Sequence, residues 1–271
     1  DEEQVPPESR PQEKTATLKT DFYTAQWSTR GANLKSFVLA NYKERVEGKK
    51  VKELEPEDLV SVEKENQRPY TLSFREEKTD FEWPSFTDWQ LVGESPDEIV
   101  FRFSPPGSEN IIITNTYRKA EQDFVLDLEV LIQNQGDDSI SEQPVLKMFA
   151  GYQKQQSSGC VGAPSAPRTP MCLANEELVD VEATPGHAAS REPSVKWTGI
   201  NEQYFLLAAI SMDVKKAVCK MEAGHDGTLS ADLMYPETDI PPGGSATHKF
   251  RLFAGPKRLD ILENVQGGAG E

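Results

Sequence analysis

The chain is predicted to be all-β, a sandwich of antiparallel sheets, on three observations. Apolar residues recur with period two over strand-length segments, as in Tyr23-Ala25-Trp27, Ile99-Phe101-Phe103 and Phe124-Leu126-Leu128-Val130-Ile132. This is the pattern of strands with one buried face. Strong turn formers separate such segments, at Pro105-Pro106-Gly107-Ser108, Asn134-Gln135-Gly136-Asp137, Asp226-Gly227 and Pro241-Pro242-Gly243-Gly244. No series of helical patterns alternates with the strands, which disfavours a parallel βαβ arrangement. At 271 residues the chain is long for an average domain, yet all-β sandwiches reach this size around one core. One domain over residues 15–271 is expected.

Taken in order, residues 1–14 are acidic, Pro-bearing and nearly devoid of apolar side chains. Burial there cannot offset the entropy of ordering, so a flexible linker is expected. Strands follow from Leu18 onward. Residues 41–66 mix Lys and Glu without a sustained apolar face, which suits an exposed connection with a short edge strand. Residues 145–191 read as a long surface excursion, with Thr184-Pro185-Gly186-His187 as one of its turns. Tyr204 to Ile210 is a continuous apolar run of strand length, and Ala217-Val218-Cys219-Lys220-Met221 alternates as a strand does. The end is expected to be helical from about residue 256. Pro256 suits a first helical turn, and Leu259, Leu262 and Val265 recur at helical spacing before Gly267-Gly268.

Charge narrows the partners. The formal net charge is -16, from 45 acidic and 29 basic side chains, so the surface field repels phosphate backbones and anionic lipid. Nucleic acid is excluded as an expected partner. No run approaches the roughly 18 apolar residues a spanning helix needs.

The cysteines bear on compartment. Cys160 and Cys172 bracket a loop rich in Pro and small residues. A disulfide closing it is expected, with an oxidising compartment; a metal site is the competing reading, but no His or second Cys pair stands at ligand spacing. Cys219 reads as a packed thiol.

Motifs for catalysis are missing: the sequence has no Walker loop, GxGxxG, GxSxG or HExxH. No catalytic residue, metal or cofactor is expected. His187, His225 and His248 are read as turn or surface-strand residues. The most suggestive chemical patch is residues 79–90, where Phe81, Trp83, Phe86 and Trp89 stand among Asp80, Glu82 and Asp88. Aromatic faces beside carboxylates suit sugar recognition or, at the right separation, glycoside hydrolysis. The competing reading is that the aromatics fill the sheet core and the acids flank it. Trp83, Trp89, Trp197 and Tyr204 are the candidate groove residues, with packing as the alternative for each.

Three segments carry a family resemblance. In the densest, Trp197 is followed by Gln203-Tyr204-Phe205 and then the apolar strand Leu206-Leu207-Ala208-Ala209-Ile210. Near the start, Thr29-Arg30-Gly31-Ala32 precedes Leu34-Lys35-Ser36-Phe37-Val38-Leu39, and near the end Phe250-Arg251-Leu252-Phe253 runs into Gly255-Pro256-Lys257. Order and spacing over about residues 15–265 resemble the periplasmic domains of the YidC membrane-protein insertases. Ala32 departs from the family pattern, which has a second Gly there.

The resemblance implies a β-supersandwich, similar to the galactose mutarotase-like fold, with short C-terminal helical structure. It further implies a non-catalytic domain on the periplasmic face of the inner membrane of a Gram-negative cell. The parent would have a transmembrane helix before Asp1 and several after Glu271, and would assist insertion and folding of inner-membrane proteins, alone or with the Sec translocon. Translocon subunits, SecF among them, and nascent inner-membrane proteins are the implied partners. The alternative is a carbohydrate- or peptide-binding sandwich or, further off, a mutarotase-like enzyme, which would need His and Glu converging in a cleft.

Overall fold

The alternation that marks the sequence becomes the register of the sheets. A computed structural model describes residues 10–43, 54–152, 167–192, 194–212 and 217–257. Strands β1 (Thr15–Lys19), β2 (Tyr23–Ser28), β3 (Leu34–Lys43) and β4 (Pro56–Asp58) pair in chain order as a four-stranded sheet. After β5 (Thr71–Phe74) come β6 (Gln90–Glu94), β7 (Glu98–Phe103), β8 (Ile111–Lys119) and β9 (Val125–Asn134), an antiparallel meander in which the expected turn at residues 105–108 joins β7 to β8. β10 (Ile140–Glu142) and β11 (Pro144–Gly151) follow, then β12 (Thr169–Ala174), β13 (Glu177–Asp180) and β14 (Ala188–Arg191). The last are β15 (Val195–Asn201), β16 (Phe205–Ser211), β17 (Val218–Ala223), β18 (Thr228–Met234), β19 (Thr238–Ile240) and β20 (Ser245–Pro256).

Two large antiparallel sheets make the sandwich. One has nine strands in the order β13-β12-β15-β16-β20-β9-β8-β7-β6, the other five in the order β14-β17-β18-β11-β5. They meet face to face where β12 and β15 lie over β17 and β18, and β16 over β11. β16 is buried from Phe205 through Ile210, which explains why it reads as a continuous apolar run: both of its faces are covered. The four-stranded sheet packs on the β7–β8 side, with Trp27 against Tyr117 at 4.9 Å. β10 and β19 form a small separate pair.

Several expectations need correction. Residues 145–191 hold β11 to β14 rather than an irregular excursion; Val145, Leu146, Met148 and Ala150 are buried, and Gly and Pro in the neighbouring stretches had hidden their pattern. Cys172 is bonded to Cys219, not to Cys160, with Cα atoms 6.6 Å apart. Both lie on inward-facing positions of strands that oppose one another, β12 in one sheet and β17 in the other, so the bond staples the sandwich. Cys160 lies outside the described residues. Pro256 ends β20 instead of opening a helix, because residues 205 and 256 pair across β16 and β20; the rest of the expected helix lies outside the described residues. His248 is buried rather than on the surface, its Nε2 2.7 Å from Glu142 Oε1.

The expected linker also differs at its end. Arg10 reaches Asp88 through Nε at 2.8 Å and Nη2 at 2.7 Å, and also bonds Glu65. Glu13 accepts from Ser28 at 2.6 Å and pairs with Lys35 at 2.9 Å. Residues 10–14 are thus held by charge, which apolar content does not reveal. Residues 1–9 lie outside the description. The short edge strand expected within 41–66 is β4, at the edge of its sheet.

Candidate binding groove

The aromatic patch of residues 79–90 forms a strap pinned at both ends. At one end Asp80 N–H donates to the Ser141 carbonyl at 3.0 Å, Ser141 N–H donates to Asp80 Oδ2 at 2.6 Å, and Gln143 N–H donates to Thr79 Oγ1 at 3.2 Å. At the other, Gly31 N–H donates to the Thr87 carbonyl and Trp89 N–H to the Thr29 carbonyl, both at 2.8 Å. Gly31 sits at φ 88 and Ala32 at φ 45, the left-handed region that favours glycine. The turn therefore keeps the backbone form of a Gly-Gly pair although its second residue is Ala.

Between the strap and the outer side of β5 and β11 lies a groove of about 860 Å³, reached by Thr71, Ser73, Lys147, Phe149, Trp83 and Phe86. Alternation explains its floor: Leu72, Leu146 and Met148 face the core, leaving their neighbours Thr71, Ser73, Lys147 and Phe149 to face out. The strap rests on an aromatic cluster. Trp83 lies 4.7 Å from Phe74, 5.3 Å from Phe103 and 6.3 Å from Trp89, in tilted or edge-on contacts. Such geometry suits the ring quadrupole.

The charges around the groove divide into engaged and unengaged sets. Glu65 is held by Arg10 and by Arg30 at 3.2 Å. Lys147 Nζ stands 3.5 Å from Asp232; burial pushes the Asp232 carboxyl above the ordinary carboxylate range, and Lys147 opposes this only in part. Arg10, its side chain 5% exposed, also lies over the Phe86 ring at 5.4 Å, a cation–π arrangement. The hydrogen bond to Asp88 leads in raising its pKa further.

Of the residues expected to line a groove, Trp83 does. Trp89 lies beneath it, buried, with Nε1–H donating to Thr87 Oγ1 at 2.9 Å. Trp197, on β15 opposite Ile210 and Leu173, packs against the core. Tyr204 is exposed at the β15–β16 turn, where its carbonyl accepts from Lys257 N–H at 2.9 Å. Neither lines the groove. Sequence reasoning passed over Arg10, Glu65 and Lys147, because each owes its place to long-range pairing.

The His248–Glu142 pair is the one His–Glu contact shorter than 3 Å among the described residues. Their side chains are 8% and 0% exposed, so no substrate could reach them, and they are not part of the groove. Among the described residues no group of three or more His, Cys, Asp or Glu could hold a metal, and no helix is long and apolar enough to cross a membrane.

A family model described as the YidC periplasmic domain matches residues 15–268. Among curated relatives, the membrane protein insertase YidC of Syntrophus aciditrophicus (strain SB) is 27% identical over 269 residues, covering 96% of this chain and 47% of that protein. That of Pelobacter propionicus is 26% identical over 267 residues, with the same coverage of 96% and 47%. The chain spans about half the length of these relatives. In fold it is similar to a putative aldose 1-epimerase from Escherichia coli K12, with TM-score 0.55, 11% identity and coverage of 90% of this chain and 100% of that one. It is also similar to a galactose mutarotase related enzyme from Lactobacillus acidophilus, with TM-score 0.51, 10% identity and coverage of 89% and 97%. At such identities the likeness concerns the fold alone.

Proposed function

The chain belongs to the YidC periplasmic domain family, and from that premise we propose that it is a non-catalytic module of a membrane protein insertase, standing on the periplasmic face of the inner membrane. The parent would assist insertion and folding of inner-membrane proteins, alone or with the Sec translocon. The observation that carries this reading is the family match over residues 15–268, with relatives named as insertases along nearly the whole chain. The buried His248–Glu142 pair supports the non-catalytic part, since a reacting sugar needs an acid and a base it can touch. Translocon subunits, with SecF as a candidate, and emerging inner-membrane proteins are the proposed partners.

Photo-cross-linking in the full-length parent tests the reading. Cross-linkers placed singly at exposed Leu178, Tyr204 and Val92 should give adducts recognised by antibodies to translocon subunits or to a stalled nascent membrane protein. A correctly folded, membrane-integral parent giving neither adduct from any site contradicts it.

A further inference from the structure

The groove carries a charge pattern that the family relationship leaves without a use. The exposed carboxylates of Glu76 and Glu82 make no hydrogen bond or ion pair with any described residue. Asp80 accepts from the Ser141 N–H but meets no cation among the described residues, and Lys147 is turned to Asp232. Three acids beside Trp83 and Phe149 therefore line the groove without counter-charge.

At one end the chain shows what such a surface accepts. Arg10 belongs to the segment before β1, outside any helix or strand, and its guanidinium lies on Phe86, grips both oxygens of Asp88 and bonds Glu65. Phe86 and Glu65 are themselves groove residues. An arginine already sits between an aromatic face and carboxylates, and further along the strap Glu82 and Trp83, neighbours in sequence, both line the groove.

We propose that this groove docks an extended, arginine- or lysine-bearing segment of a partner protein. Its cations would meet Glu76, Asp80 and Glu82, and its apolar side chains Trp83 and Phe149. Charge complementarity selects this occupant: an anionic lipid surface is repelled, and a neutral sugar leaves the acids without a cation. The source is a resident partner rather than an inserting client, because short translocated segments of membrane proteins are depleted in Lys and Arg. The proposal rests on the insertase reading only for the compartment in which the partner is met.

The test uses the purified chain and three probes, followed by calorimetry and Trp fluorescence. One is a blocked decapeptide alternating Val and Thr with two Arg substitutions; the second replaces those Arg by Glu; the third is methyl galactoside. The Arg peptide should bind saturably and weaken with added salt. The double variant Glu76→Lys, Glu82→Lys, altered only at exposed positions and checked for folding by circular dichroism, should bind it about tenfold less tightly. Trp83→Phe should lose most of the fluorescence change while calorimetric binding persists. Equal binding of the Arg and Glu peptides, saturation by the sugar alone, or no binding of the Arg peptide overturns the proposal. Each of these failures leaves the insertase reading untouched, since that reading is tested in the full-length parent.

Discussion

At the scale of single residues, this protein holds charge by close pairing in places where apolar packing surrounds it. Glu142 is fully buried, one of its oxygens faces His248, and Oε2 has no partner among the described residues. Removing the imidazole strands a buried carboxylate, so His248→Ala should lower the unfolding free energy by about 3–5 kcal/mol; a loss of less than about 1 kcal/mol, measured by urea unfolding, would show the carboxylate is not held as described. Glu13 works in the opposite sense. Burial pushes its pKa up, but the Ser28 hydroxyl and Lys35 outweigh burial and bring it from 4.5 to about 2. A depressed folded pKa gives stability that is present above the unfolded value and lost as pH falls through the folded one. The melting temperature of Glu13→Gln should thus fall below that of the parent chain at pH 6, and the two should converge between about pH 4.5 and 2. A constant gap across that range would mean Glu13 is not ionised in its pairs. None of these pairings was legible beforehand: His248 sits in an alternating strand that looks half exposed, and its partner is 106 residues away.

At the scale of elements, strands with plain alternation were readable and those with interrupted patterns were not. β9 follows from alternating Leu, Val and Ile, and β16 from an unbroken run of Phe, Leu, Ala and Ile. β12 has Pro170 within it and β11 begins at Pro144 and ends at Gly151, so composition spoke for loops where the sheets supplied pairing on both sides. The disulfide belongs at this scale because its meaning lies in which strands face each other. The short spacing from Cys160 to Cys172 suggested a local loop, whereas the sandwich brings β12 and β17 together across a sequence separation of 47. By the chain-entropy estimate, closing a loop of that length restricts the unfolded chain by about 4 kcal/mol. Labelling the denatured, unreduced protein should leave Cys172 and Cys219 unmodified, and reduction should lower the melting temperature measurably. Modification of Cys219 without reductant would refute the staple.

For the whole molecule, the sandwich and the family were legible, and the groove only in part. The sandwich follows from periodicity, and the family from three short segments around Arg30, Gln203 and Gly255 that lie at turns and strand ends, where backbone demands restrict the choice of residue. Trp83 was legible because aromatics among acids attract notice. The rest of the groove was not, because Arg10, Glu65 and Lys147 converge only after three separate stretches of chain fold together. The central claim is that this chain is the periplasmic module of a membrane-embedded insertase, and alkaline carbonate extraction of the source cells, with an immunoblot against this domain, tests it most directly. The account predicts a carbonate-resistant band clearly larger than the 30.2 kDa of this chain. A soluble band near 30.2 kDa would contradict it.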